Sequence, residues 1–149
     1  MRTDPSCIFC QILAGLAPAS MIHQDERVAA FMDIRPIVEG HVLVVPRRHA
    51  ASLVELEDED GAEMFALGKR VAQAQRRSNI RCEAVNLYLA DGAAAGQTVF
   101  HMHLHVLPRY SGDGLMVRSA LGLRPPPSLE TLDALAARIR QSLAGEPLS

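Results

Sequence analysis

Six histidines occur in the 149-residue chain, and three of them, His101, His103 and His105, stand two residues apart. The surrounding segment is patterned as a strand, where alternation puts all three imidazoles on one face and Met102, Leu104 and Val106 on the other. Packing such a row into a core would strand polar nitrogens unless each finds a partner, which disfavours a purely structural role. Two chemistries suit it. One is metal binding, since neutral imidazole is the commonest protein ligand and all three rings could share a catalytic zinc. The other is nucleophilic catalysis, in which one ring nitrogen attacks an electrophile while its neighbours hold its tautomer. Spacing alone does not separate them. Gly96-Gln97-Thr98, just before the row, places flexible backbone, an amide and a hydroxyl where they can meet an anionic oxygen, which favours phosphate chemistry.

A second constellation is Cys7-x-x-Cys10. Taken by itself it reads as a redox dithiol, as half of a zinc site, or as chance. A thioredoxin-like pair follows a strand and opens a longer helix, and no strand pattern precedes this one. A zinc site needs about four ligands, so two more would have to come from elsewhere in the chain. The remaining cysteine, Cys82, reads as a small buried apolar group.

The elements that must position these groups follow from periodicity and punctuation. A short helix is predicted over 7–13, with Gly15 offering a left-handed cap. Strands are expected at 20–23, 28–32 and 41–45, separated by short polar or Pro/Gly-containing connections that favour antiparallel neighbours. The segment 57–77 begins acidic and ends with Arg76 and Arg77, the charge order that complements a helix dipole, and Leu67, Val71 and Ala74 give it an apolar stripe. Its acidic start, 57–60, reads as a solvated first turn, and Gly68 as a point of close packing. Val85, Leu87 and Leu89 alternate as a half-buried strand, and a Gly/Ala loop leads into a strand over 99–107 that Pro108 closes. Ser128 caps a final helix whose stripe is Leu129, Leu132, Ala136, Ile139 and Leu143. Strands and helices in runs imply an α+β domain on an antiparallel sheet of about five strands, with two main helices and a short N-terminal one.

The chain is long enough for one domain, and 48% hydrophobic against 21% charged residues is enough to build a core. A net charge of −2 supplies no basic field, so a nucleic-acid partner is disfavoured. No apolar run approaches the ~20 residues of a membrane span. Arg2, the apolar 7–17 stretch and Ala17-Pro18-Ala19 loosely imitate a signal peptide, but Asp4 cancels the early charge and Gln11 interrupts the run. With three cysteines and no disulfide framework, a reduced cytoplasmic location is expected.

The run from Gly96 through His101-Met102-His103-Leu104-His105 to Arg109 resembles the signature of the histidine triad superfamily of nucleotide hydrolases and transferases. Cys7-Ile8-Phe9-Cys10, the stretch 30–34, the strand from Gly40 and His41 to Pro46, and Asn86 also match its bacterial branch, so signature blocks run from 7 to 110. The resemblance implies a single domain of the histidine triad fold over 1–149, with a C-terminal helical extension at about 128–144. It implies that His103 is the nucleophile that attacks the α-phosphorus of a nucleoside phosphoramidate or dinucleoside polyphosphate, with a nucleotidyl-histidine intermediate and no catalytic metal. His105, His101 and Thr98 would complete the catalytic group, and His41 would sit against the triad. The purine nucleotide or conjugate would be held by Asp33 at the ribose, Ile34 at the base, and Gln97, Thr98 and His105 at the phosphate or departing group, with His41, Asn86 and Gly96 also in the nucleotide site. Cys7, Cys10, His49 and His101 would bind a structural zinc, and two chains would pair as a homodimer by extending one sheet into another. Transferase relatives have glutamine at the position of His105, so this residue favours hydrolysis over transfer or phosphorolysis. Many relatives carry Asn or Gln where this chain has Ala90, seven residues before Gln97, which leaves room for a nucleotide-binding regulatory module without turnover.

Overall fold

A computed structural model describes residues 1–115 and 125–145. The looser stretch expected between Arg109 and Pro127 lies partly outside them. Helix α1 (Ile8–Leu13) is followed by strands β1 (Met21–Gln24), β2 (Val28–Met32) and β3 (Val42–Pro46), then helix α2 (Asp58–Arg77). Strands β4 (Ala84–Leu89) and β5 (Leu104–Arg109) and helix α3 (Leu129–Ala144) complete the order. The sheet is antiparallel throughout, with spatial order β1-β2-β3-β5-β4. This is the expected α+β arrangement of five strands, two main helices and a short N-terminal one.

The two sheet faces are covered differently, and that difference makes the site. Helices α2 and α3 lie on one face, where Val28, Ala30, Met32, Val42, Val44, Leu104 and Val106 meet Leu67, Val71, Leu132 and Ile139. Each large aliphatic side chain buried there contributes roughly 1.5–3 kcal/mol. Gly68 lets α2 approach β5 closely: a Cβ at that position would lie 2.8 Å from Leu104 Cδ2. The opposite face carries a smaller cluster of Phe9, Ala29, Phe31, Leu43 and Val45, covered by α1 with Ala19 and Val99. Beyond α1 no other α-helix covers that face among the described residues, and there the His103 and His105 rings lie.

Local chemistry explains most of the boundaries. Helix α1 ends as a Schellman turn: Leu16 N donates to Gln11 O, Gly15 N donates to Ile12 O, and Gly15 sits at φ +76°. Ser128 Oγ accepts from Thr131 N to start α3. The acidic start of α2 is less solvated than expected, because Asp60 is buried and accepts from Arg27 Nη1 at 2.9 Å. Cys82 is only partly buried, and its thiol donates to Ala84 O.

The histidine segment departs most from expectation. The strand begins at Leu104, not residue 99, and runs through Pro108 to Arg109. Upstream, Met102 N donates to Ala50 O rather than to a neighbouring strand, which draws 99–103 off the sheet. Pro108 is tolerated because β3 pairs with β5 only as far as Val106, so at Pro108 the strand has a neighbour on one side.

Candidate active site and metal centre

His103 lies just ahead of β5, 5% exposed, and its Nδ1 is 2.7 Å from the carbonyl oxygen of His101. A carbonyl only accepts, so Nδ1 carries the proton and Nε2 keeps its lone pair. Burial holds His103 below the ordinary histidine value, which keeps that lone pair free at neutral pH. The ring meets Phe9 edge-on at 5.3 Å and the ring of His105 at 4.8 Å.

His105 is governed by His41. The amide of Ile37 donates to His41 Nδ1 at 3.2 Å, so neutral His41 must carry its proton on Nε2. That Nε2 lies 2.9 Å from His105 Nδ1, which therefore accepts and leaves His105 with its own proton on Nε2. The relay is self-consistent only if both rings are neutral, and burial lowers both His41 and His105 to about 3. His101 O thus leaves a lone pair on His103 Nε2, and His41 leaves an N–H on His105 Nε2 in the adjacent ring.

His41 also fixes a pH dependence. Its folded value of about 3 lies below its ordinary 6.5, so its contribution to stability is complete above about pH 6.5 and is lost as pH falls toward 3. The expected slope from His41 alone is about 1.4 kcal/mol per pH unit in that window. Urea unfolding across it should show the decline, and His41→Gln should flatten it; an equal slope in the variant would contradict the assignment.

His101 does not face the same way. Its ring is fully buried, and Nε2 lies 2.8 Å from Pro46 O, so Nε2 donates and Nδ1 keeps its lone pair. Nδ1 points at Cys7 Sγ (3.5 Å) and Cys10 Sγ (3.6 Å), and His49 Nδ1 lies 3.4 Å from Cys10 Sγ. These four ligand atoms lie within 4.8 Å of one another. The set fits a tetrahedral metal well, because the two imidazoles offer Nδ1 lone pairs to two thiols and the amide of Asp4 donates to Cys10 Sγ. His101 was expected among the catalytic residues, but only its carbonyl serves His103; its ring belongs to this cluster. The three strand histidines do not converge on one ion, so a catalytic zinc shared by the row is not supported.

Asp33 lies at the end of β2, its Oδ1 accepting from Arg35 N at 2.8 Å and its Oδ2 3.6 Å from His41 Nε2. Asp33, His41 and His105 also come within metal-ligand reach of one another, but the His41–His105 hydrogen bond already occupies the facing nitrogens. Ile34, 56% exposed on the same loop, leaves an apolar side chain free for a flat ligand. Gly96 and Thr98 are exposed beside the triad, and Gly96 adjoins open space.

Gln97 departs from expectation. Its Oε1 accepts from Gly92 N, and its Nε2 donates to Ala51 O and Val99 O. Both ends of the amide are spent shaping the 92–99 loop, which leaves no side-chain donor for a phosphate. Asn86, exposed on β4, has its Oδ1 on Arg109 Nη1, while Arg109 also holds Asp113 through Nε and Nη2. Arg109 is thereby tied into the scaffold.

Two residues were not expected. Tyr88 on β4 stacks on His105, and its place beside Asn86 on the outward face of an alternating strand was the available signal. Buried Gln75 of α2 donates to Gly40 O and Val106 O, joining the backbones next to His41 and His105 where the β3–β5 ladder ends. Its place four residues after Val71, on the apolar stripe of α2, was the available signal.

A five-stranded sheet with a His103 ring whose Nε2 keeps its lone pair, a relayed second histidine and a Cys/His cluster that includes His101 is the arrangement of the histidine triad class. A HIT domain matches residues 14–112. The chain is 44% identical over 138 residues to an uncharacterized HIT-like protein of Mycobacterium tuberculosis, covering 93% of each. It is 39% identical over 104 residues to the adenosine 5'-monophosphoramidase of Schizosaccharomyces pombe, covering 70% of this chain and 74% of that one. The crystal structure of a zinc-bound histidine triad family protein from Mycobacterium smegmatis superimposes with a TM-score of 0.81 at 41% identity, covering 93% of this chain and 94% of that one. The chain belongs to the HIT family.

Proposed function

We propose that the protein hydrolyses nucleotide conjugates, nucleoside phosphoramidates or dinucleoside polyphosphates, through a nucleotidyl-histidine intermediate. The observation that carries this reading is the His103 Nδ1–H donated to its own chain at His101 O, which leaves Nε2 as a free nucleophile beside the His105 N–H. In the first step Nε2 attacks the α-phosphorus, a P–N bond to His103 forms, and the bond to the leaving group breaks. Water then attacks the same phosphorus, releasing the nucleoside monophosphate and restoring the ring. His105 Nε2–H donates to a phosphate oxygen as charge builds there, Thr98 and the backbone at Gly96 bind the others, and Asn86 lies at the rim of the same face. Asp33 accepts from the ribose hydroxyls of a purine nucleotide, and Ile34 packs against the base. The similarity to a monophosphoramidase favours P–N substrates. Rapid-quench labelling with an adenosine phosphoramidate, followed by peptide mass analysis, should find adenylate on His103; a label on another residue would refute the mechanism.

Cys7, Cys10, His49 and His101 would hold a structural zinc, which supplies a crosslink between α1 and the sheet rather than chemistry. Asp33→Ala should raise KM about tenfold with kcat changed less, equivalent to about 1.4 kcal/mol of binding lost; steady-state kinetics decide. The outer edge of β4 pairs with no other strand among the described residues, and a second copy extending the sheet would cover it. Light scattering should give twice the 16.2 kDa chain mass, and a monomer at micromolar concentration would contradict the homodimer. A reduced cytoplasmic location suits the free thiols.

A further inference from the structure

Tyr88 has no part in the mechanism above, yet it makes the shortest ring contact of His105. The two ring centroids lie 4.0 Å apart with planes within 8°, closer than the contacts of His105 with His103 at 4.8 Å or His41 at 5.1 Å. The register accounts for this. Tyr88 pairs directly with His105 across β4 and β5, Leu43 pairs with it from β3, and all three side chains share the open face. Tyr88 is 40% exposed, so its ring stands at the surface of the site rather than in the core.

A hydrogen bond fixes one atom of an imidazole and not its plane. His41 anchors His105 at Nδ1 and leaves the ring free to pivot about that nitrogen, sweeping Nε2–H through an arc. A flat partner stacked on the ring removes that freedom. We infer that Tyr88 is a positioning residue that sets the plane of the His105 ring, and with it the direction in which Nε2–H is presented to the reacting phosphate. The inference rests on the proposed hydrolysis only for what that proton meets; the ordering of the ring stands apart from it.

The test compares Tyr88→Phe, which keeps the stacking ring, with Tyr88→Leu, which keeps bulk without a plane. Tyr88→Val, a good strand former, replaces the leucine variant should that one fold poorly. Two readouts are taken on full-length protein: kcat and KM for an adenosine phosphoramidate, and the relaxation order parameter of the His105 ring by carbon-13 NMR. Tyr88→Leu should lower kcat about tenfold with KM within about twofold, and should lower the order parameter of the ring; Tyr88→Phe should match wild type in both. An unchanged order parameter in Tyr88→Leu overturns the inference, whatever happens to kcat. A disordered ring with unchanged kcat overturns its catalytic part. Wild-type protein that fails to turn over the substrate counts against the proposed function, while the NMR comparison still decides the role of Tyr88.

Discussion

Replacing His103 with alanine is expected to lower kcat/KM for an adenosine phosphoramidate by about 10^4-fold or more, the scale seen when a covalent nucleophile is removed. The size follows from the placement of the ring. Its Nε2 is the one triad nitrogen presented toward the open face with a lone pair, since His101 Nδ1 faces the thiols and His105 Nδ1 is already taken by His41. No neighbour can substitute, because His105 offers a proton where attack needs an electron pair. The loss should appear in kcat rather than KM, since the attacking nitrogen contributes most once the bond to phosphorus begins to form. Folding should survive: the variant leaves His101 O without its partner at a cost of about 1–3 kcal/mol, and the metal cluster keeps all four ligands. A variant that turned over at the wild-type rate would end the proposal. Partial recovery with added imidazole would tie the defect to the missing ring itself.

The second large effect concerns Cys10. Cys10→Ser should reduce bound zinc from about one per chain to near zero and lower Tm by about 10 °C or more. Cys10 is buried, touches both His49 and His101, and receives the Asp4 amide, so it links α1, the stretch after β3 and the triad segment. Without the metal, the six-residue α1 is held to the sheet mainly by the Phe9–Phe31 cluster and the Phe9 contacts with His101 and His103. Kinetics would suffer indirectly, because the residue whose ring would bind the metal is also the one whose carbonyl orients His103. Elemental analysis and calorimetry measure the two parts separately. Full zinc occupancy and an unchanged melting curve in the variant would dismiss this cluster as the metal centre. Chelation of the wild-type protein should reduce activity only through the hold on α1 and the aim of His103, since no step of the proposed reaction uses a metal.

Much of this protein was legible in one dimension. The pattern of 28–32 and 85–89 as strands, 57–77 as a dipole-complemented helix, the Gly15 cap and the Ser128 cap depend on the order of nearby residues, and each was found within a residue or two of its place. Such features are decided by backbone periodicity and short-range hydrogen bonds, which a sequence displays directly. The Gly96–Thr98 approach to the histidines favoured phosphate chemistry, and the paired cysteines offered half of a zinc site as one of three readings. Tertiary structure alone decided what those groups became. His101 left the strand for the thiols because Met102 bonds to Ala50 and draws the chain off the sheet, and Gln97 turned inward because the 92–99 loop needed its amide. Which nitrogen of His103 keeps its lone pair, which nitrogen of His105 carries the proton and what lies flat against it depend on partners as distant in the chain as His41, 64 residues from His105. Proton positions and ring planes follow from contacts between segments brought together by sheet register, and no local pattern records them.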